Sequence, residues 1–378
     1  MSQLNFLPWS SVPLSQATLH ENLPAVLDNH KFRWASSRRD TQAFAAEHGS
    51  ALRAHLATTG CVLLRGFPVD GAQDFESLLD GLQIPLGDSY EGGVSPRNAV
   101  TGRTFTSTDA SGYFLITPHN EMCYLPQRPT CIAFYCEVEP QRYGETPIFN
   151  SRETARELPR DLTEKMQRLG VLYRRFTAKR PSYSNVEKTL NQTFGTDDRV
   201  KVQRILDKLQ ARSEWDEKGN LVFDVHMPAF VRHPQSGQDC MNLVIFNRYA
   251  HSLDTALFKD RWNPWKLFMI NAVMGYVQSK PRAFMRTLWG DGTELSREET
   301  QTLLHTAWRH SVLFRWRKGD VLILDNILWG HGRMNVQGPR RILAALGHSY
   351  DVHAMTRPAV SMYGRASWSE AGPGGGNY

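Results

Sequence analysis

The segment 117–147, TPHNEMCYLPQRPTCIAFYCEVEPQRYGETP, opens with His119-Asn120-Glu121. In an extended chain residues i and i+2 share a face, so His119 and Glu121 can offer an imidazole nitrogen and a carboxylate oxygen to one point. One further ligand from elsewhere completes a set of two histidines and one carboxylate. Such a set leaves three coordination positions open, which suits non-haem Fe(II) that activates O2. A bare H-x-E also recurs by chance on surface strands, so a partner downstream has to be found.

Residues 319–346, GDVLILDNILWGHGRMNVQGPRRILAAL, supply one. A strand over Val321–Leu324 leads through Asp325-Asn326 to His331, which has Gly330 on one side and Gly332 on the other. Glycine on both sides lets the backbone approach a site closely. Arg340 and Arg341 then open an apolar strand, and adjacent strand residues face opposite ways, so one arginine alone points inward. A guanidinium beside an iron site needs an anionic partner, which a dicarboxylate cosubstrate provides through bidentate hydrogen bonds.

Around these residues the hydrophobic pattern places the elements that must hold them. Phe44, Leu52 and Leu56 recur at multiples of four and predict a helix over 41–56. Gly60 ends it, and Cys61–Leu64 reads as a buried strand. A short helix follows at Phe75–Leu82, then a long irregular stretch over 90–114, rich in Gly, Ser and Thr, of the kind that is often functional inside a compact domain. It runs directly into the H-x-E. Thr130–Val138 is a strongly apolar strand. Residues 152–170 have helical spacing, complicated by Pro159. Further strands are predicted at 222–230, 241–246, 312–316, 321–324 and 342–346, and Ser296-x-x-Glu299 is a capping box that opens a helix ending near His305. The expected organisation is one domain over 1–366, with a helix-rich insertion at about 151–300 and a disordered Gly-rich tail at 367–378. Strands at both ends of the chain place a metal held by the early H-x-E and the late histidine between two halves of a sheet structure.

Composition narrows the class. The chain has 378 residues, 41% hydrophobic and 22% charged, as in a globular protein with a sizeable core. No basic n-region or long apolar stretch opens the chain, and no apolar run approaches the ~20 residues of a membrane span. Five cysteines without a CxxC pattern read as reduced core thiols and point to the cytoplasm. The formal charge of +6 is not concentrated in one basic run, so nucleic acid is not an expected partner.

The blocks CVLLRGFP, SPRNAV, TSTDA, PHNEMCY, FYCEVEP, GETP, GDGTEL, GDVLILDN, HGRMN and GPRRIL, in this order over about 60–347, resemble the Fe(II)/2-oxoglutarate dioxygenases of the taurine dioxygenase superfamily. The nearest branch contains clavaminate synthase and the syringomycin-type aspartyl hydroxylases. That resemblance implies a mainly β fold with helical insertions around a double-stranded β-helix, the jelly-roll or cupin-like barrel. It implies His119, Glu121 and His331 as ligands of Fe(II), and Thr146 and Arg341 as the residues that bind the distal carboxylate of 2-oxoglutarate, with O2 as co-reactant. Halogenating relatives carry a small residue where Glu121 stands, so hydroxylation or a related oxidation is implied. The turn before Thr146 departs from the usual GGETP, with Tyr143-Gly144 in its place, and a tyrosine at positive φ could alter that turn.

Arg97 in SPRNAV and Thr108 in TSTDA, in the loop that enters the site, are the candidates for touching substrate. A loop arginine held by the surface and a turn threonine describe them equally well. The expected substrate is an amino acid in specialised metabolism, either free or tethered to an acidic carrier protein that would meet the basic segment 174–180. Desaturation, ring closure or epoxidation at the same centre is the alternative chemistry. A catalytically silent jelly-roll protein is the alternative class, and the intact four residues His119, Glu121, His331 and Arg341 count against it.

Overall fold

The computed structural model describes residues 7–8, 25–87, 98–107, 111–180, 189–280 and 283–353. Arg97, Thr108 and the 367–378 tail lie outside the described residues. Two facing sheets form the centre. The larger has seven strands, and its middle is Cys61–Arg65, Val321–Asp325, Cys131–Val138 and Arg341–Leu346, antiparallel to one another in that order. Every second side chain points inward: Leu63, Leu322, Leu324, Ile132, Phe134, Ile342 and Ala344 join the main core. The alternate set, Val62, Leu64, Ile323, Ala133, Tyr135, Leu343 and Ala345, packs outward against the helices Arg38–Thr59 and Ala72–Gly81. A sheet covered on both faces reads as continuous apolar runs, as these strands do.

The long helix forms because Ser37 and Asp40 cap its start reciprocally and because Phe44, Leu52 and Leu56 bury one face. Full burial of such a side chain is worth about 1.5–3 kcal/mol. Residues 152–170 resolve into two helices, Ser151–Glu157 and Arg160–Leu169, with Pro159 at the break. The capping box at Ser296 and Glu299 is present, and its helix runs to Arg309.

The smaller sheet has the order Ser311–Val312, Ile148–Asn150, Trp329–Arg333, Ile116–His119. With the larger sheet it makes the jelly-roll core. Two predicted strands are shorter than expected: only Ser311–Val312 of 312–316 pairs, and in the 241–246 region the ladder is Asp239–Met241. In both places the apolar residues beyond the ladder are buried without pairing. The stretch 151–300 holds helices, and also a four-stranded antiparallel sheet, Arg212–Trp215, Leu221–Met227, Val171–Thr177, Met285–Trp289. Its inward residues Tyr173, Phe223, Val225 and Trp289 belong to the same apolar cluster as the barrel interior.

All five cysteines are buried and free. Burial pushes the thiols of Cys131 and Cys136 up to about 12. Among the described residues, no helix is long and apolar enough to cross a membrane.

Candidate metal centre

The small sheet sets two imidazoles side by side, their planes tilted by 48°. His331 lies opposite His119 in the ladder between their strands, and the ring centroids are 4.5 Å apart. The strand stops at His119, and Glu121 sits in the turn that follows. The carboxylate therefore reaches the site through a turn and not, as expected, along an extended segment. Met122, next in that turn, has φ 55°, a left-handed conformation uncommon for a residue with a side chain. One donor atom each from His119, Glu121 and His331 lies within 4.8 Å of the others. Glu121 Oε2 is 3.6 Å from His331 Nε2. Cis ligands of an ion with bonds of about 2.1 Å sit roughly 3 Å apart, so a small contraction closes the three on one ion. Two imidazoles and one carboxylate are a donor set that fits Fe(II).

The supports of the donors differ. His119 Nδ1 lies 2.9 Å from the Thr117 carbonyl, which assigns the proton to Nδ1 and makes Nε2 the nitrogen that could bind a metal. Glu121 is held by its own backbone: its N–H donates to Asn326 Oδ1 at 2.8 Å, and Asn326 Nδ2 donates back to its carbonyl at 3.0 Å. Asn326 Nδ2 also donates to the Pro129 carbonyl. Asn120, fully buried, points away to Ser151 Oγ and the Asn326 carbonyl. His331 is fixed sterically. A Cβ on Gly330 would stand 2.0 Å from the Phe149 ring and 2.7 Å from the His119 carbonyl, and one on Gly332 would meet the Ile116 carbonyl at 2.6 Å. The neighbouring strands thus close on this one because it lacks side chains beside the histidine. Phe134 adds an edge contact to the His331 ring at 5.0 Å.

The arginine that reaches Thr146 is part-buried, and it is Arg340. Its Nη2 donates to Thr146 Oγ1 at 3.2 Å and its Nε to the Gly144 carbonyl at 2.9 Å. Arg341 faces the other way, half exposed, and pairs with Glu137 at 2.8 Å. The alternation of facing holds, but the inward member is the one not expected: Ile342 and Ala344 face the barrel, and Arg340 shares their parity. No carboxylate pairs with Arg340 among the described residues. Burial first, then the neighbouring Arg333 guanidinium, push it down to about 9. A guanidinium remains charged in proteins, so that direction marks a cation short of an anion. Thr146 Oγ1 accepts from Trp316 Nε1 at 3.0 Å as well as from Arg340, which leaves the hydroxyl hydrogen to donate. Arg333 and Arg340 line a cavity of about 690 Å³ with Thr106, Ser107 and Tyr113. Tyr143 does adopt φ 60°, followed by Gly144 at 75°. The unusual turn is braced by Arg261, whose guanidinium lies 4.7 Å from the Tyr143 ring and 2.7 Å from Glu145.

Of the basic segment 174–180, Arg174 and Arg175 are engaged within the fold, while Lys179 and Arg180 are exposed. Arg174 forms two hydrogen bonds to Asp224 across the ladder, and Arg175 is buried over the rings of Tyr124 and Phe223. Among the remaining histidines, His233 is buried 3.2 Å from Asp325, His226 meets the Leu169 carbonyl, and His251 meets Asn271. None of these joins the triad. Asn326 and Trp316 are the site residues that sequence reasoning missed. Asn326 had a signal, its place directly after the strand Val321–Asp325, whereas Trp316 had none.

A family model described as taurine catabolism dioxygenase TauD, TfdA family matches residues 34–346. The chain is 29% identical to a clavaminate synthase-like protein of Arabidopsis thaliana over 77% of this chain and 82% of that one. It is 25% identical to dapdiamide synthesis protein DdaC of Enterobacter agglomerans, over 77% and 83%. Among solved structures, PvcB of Pseudomonas aeruginosa covers 90% of each chain at 14% identity and a TM-score of 0.49.

Proposed function

The chain belongs to the taurine catabolism dioxygenase TauD, TfdA family, and on that premise we propose that His119, Glu121 and His331 hold its Fe(II), while Arg340 and Thr146 hold the distal carboxylate of 2-oxoglutarate. The protein is an oxidoreductase whose cofactors are Fe(II), 2-oxoglutarate and O2. When bound, the iron supplies O2 activation coupled to oxidative decarboxylation of 2-oxoglutarate to succinate and CO2. The observation that carries the residue assignment is Arg340: a part-buried guanidinium bonded to neutral acceptors alone, beside a threonine hydroxyl with a proton to give. A carboxylate placed there receives a charge-assisted bond from Arg340 and a second from Thr146. Arg341, already paired with Glu137, takes no part.

The reaction we propose is hydroxylation of a small amino-acid-type substrate in specialised metabolism. The relative involved in dapdiamide synthesis supports that class, and an intact Glu121 supports oxygen insertion. A free substrate is favoured over a carrier-tethered one, because Arg174 is paired with Asp224 and Arg175 is buried, so the basic segment presents Lys179 and Arg180 alone as exposed cations. The task of the chain is to place the target carbon and exclude water from it.

The test is anaerobic Fe(II) and 2-oxoglutarate binding, followed by mass spectrometry of products from a panel of free amino acids. His119→Ala, Glu121→Ala and His331→Ala should each lose most iron affinity. Arg340→Ala should weaken 2-oxoglutarate binding by about 2–5 kcal/mol, with Arg341→Ala close to the parent. A larger loss in Arg341→Ala than in Arg340→Ala would sink the cosubstrate assignment. A product two hydrogens lighter, in place of one oxygen heavier, would make the reaction a desaturation or a ring closure.

A further inference from the structure

The helix Pro264–Ser279, PWKLFMINAVMGYVQS, presents apolar side chains on its outward face as well as its inward one. Surface helices turn an apolar stripe inward and a charged face to water. This one carries a single charged residue, Lys266. Its inward side spends polar groups: Asn271 lies 2.8 Å from His251 Nδ1 and accepts from Thr255, and Gln278 is buried. Its outward side presents Trp265, Phe268, Met269, Val273 and Tyr276, exposed by 77, 63, 56, 51 and 63%. These lie at i, i+3, i+4, i+8 and i+11, one continuous stripe. Trp265 and Phe268 meet edge to face at 6.4 Å.

We propose that this stripe is the contact surface of a homodimer, helix against helix across a two-fold axis. Large apolar and aromatic side chains carry roughly 150–250 Å² each, so the patch amounts to about 600 Å², at the upper end of what monomers expose. Two such patches face to face remove about 1,200 Å² from water, the lower bound of a specific stable interface. An isologous contact sets each patch against its own copy. That suits a stripe whose five side chains are all uncharged, with the nearest cations, Lys266 and Lys280, at its margin. The flanking lysines are turned onto aromatic rings, Lys266 at 5.0 Å from Tyr113 and Lys280 at 4.0 Å from Tyr276. A membrane-seated helix would need a basic polar face, and a charged protein partner a charged rim. This helix has neither.

This inference does not depend on the assignment of the iron site. Its test is sedimentation velocity of the full chain at micromolar concentration, with Phe268→Glu and Val273→Glu as separate variants. The parent should sediment with twice the mass of one chain. Each variant should weaken dimerisation by roughly 100-fold or more, with an unchanged circular dichroism spectrum. A monomeric parent overturns the proposal, as does a dimer indifferent to both substitutions. Binding of a monomeric parent to vesicles of neutral and anionic phospholipid would assign the stripe to a membrane instead. Dimerisation that appears only after removal of residues 354–378 would show that the tail of the chain covers it.

Discussion

The two segments that bring ligands to the centre are held by opposite means. Trp329–Arg333 is confined by shape: it lies between two strands, and glycines beside His331 let Phe149 and the backbones of Ile116 and His119 close on it. The Thr117–Glu121 segment leaves its ladder at His119 and is tied down by polar bonds from Asn326 and Asn120. Shape fixes a residue through repulsion, which rises steeply with displacement. Hydrogen bonds fix it through wells that tolerate a few tenths of an ångström. The late histidine is therefore the rigid reference of the proposed site, and the carboxylate is the donor with more freedom to adjust.

The largest effect expected from this contrast is at Gly330. Gly330→Ala places a methyl inside the Phe149 ring and against a carbonyl, and overpacking on that scale costs ~3 kcal/mol or more. Thermal melting should show a large loss. Phe149→Leu should restore only part of it, since the His119 carbonyl still obstructs. Full rescue would mean that the ring alone sets the limit. A second effect belongs to Asn326→Ala, which strips partners from the buried N–H and carbonyl of Glu121 at about 1–3 kcal/mol per group. Here the protein should fold and iron affinity should fall, with His119 and His331 still in place. Unchanged iron affinity in the folded Asn326 variant would erase the distinction.

A third effect is a pH slope behind the first segment. Burial pushes the Asp254 carboxyl up to about 7, against hydrogen bonds from Trp308 and Thr117 that oppose the rise. In the unfolded chain the group ionises near the ordinary value of 3.8. Between these values the folded state holds a proton that the unfolded state has lost, so its contribution is complete below about pH 4 and lost as pH rises through 7. Asp254→Asn should flatten that fall in melting temperature relative to the parent. An identical slope in parent and variant would assign it to other groups.

Much of the site was legible in the sequence because its chemistry is local. H-x-E and the glycine-flanked histidine carry their meaning in a few residues, and the structure brings them together. The choice between Arg340 and Arg341 was not legible, for a physical reason. Parity is read from alternation of apolar and polar residues, and Ile342 to Leu346 are apolar throughout because the strand is covered on both faces. The same limit hid the sheet around Val171–Thr177. Arg174 and Arg175 read as a basic run, while the residues that claim them, Asp224 and Phe223, sit on another strand far along the chain. The exposed stripe of Pro264–Ser279 was invisible in kind, since a sequence shows that a helix is apolar but not which side meets water.

The buried thiols give the molecule a clock. Alkylating agents and peroxides attack thiolate, and a thiol pushed up to about 12, as at Cys131 and Cys136, offers almost none at neutral pH. Cys61 is likewise raised far above its ordinary value by burial. Labelling in native buffer can then proceed only through molecules that have opened. Cys61, Cys131 and Cys136 lie on central strands of the large sheet, so the rate at which they take up label measures the opening of the barrel itself. Comparing that rate with and without Fe(II) and 2-oxoglutarate would time how far the ligands hold the two sheets shut.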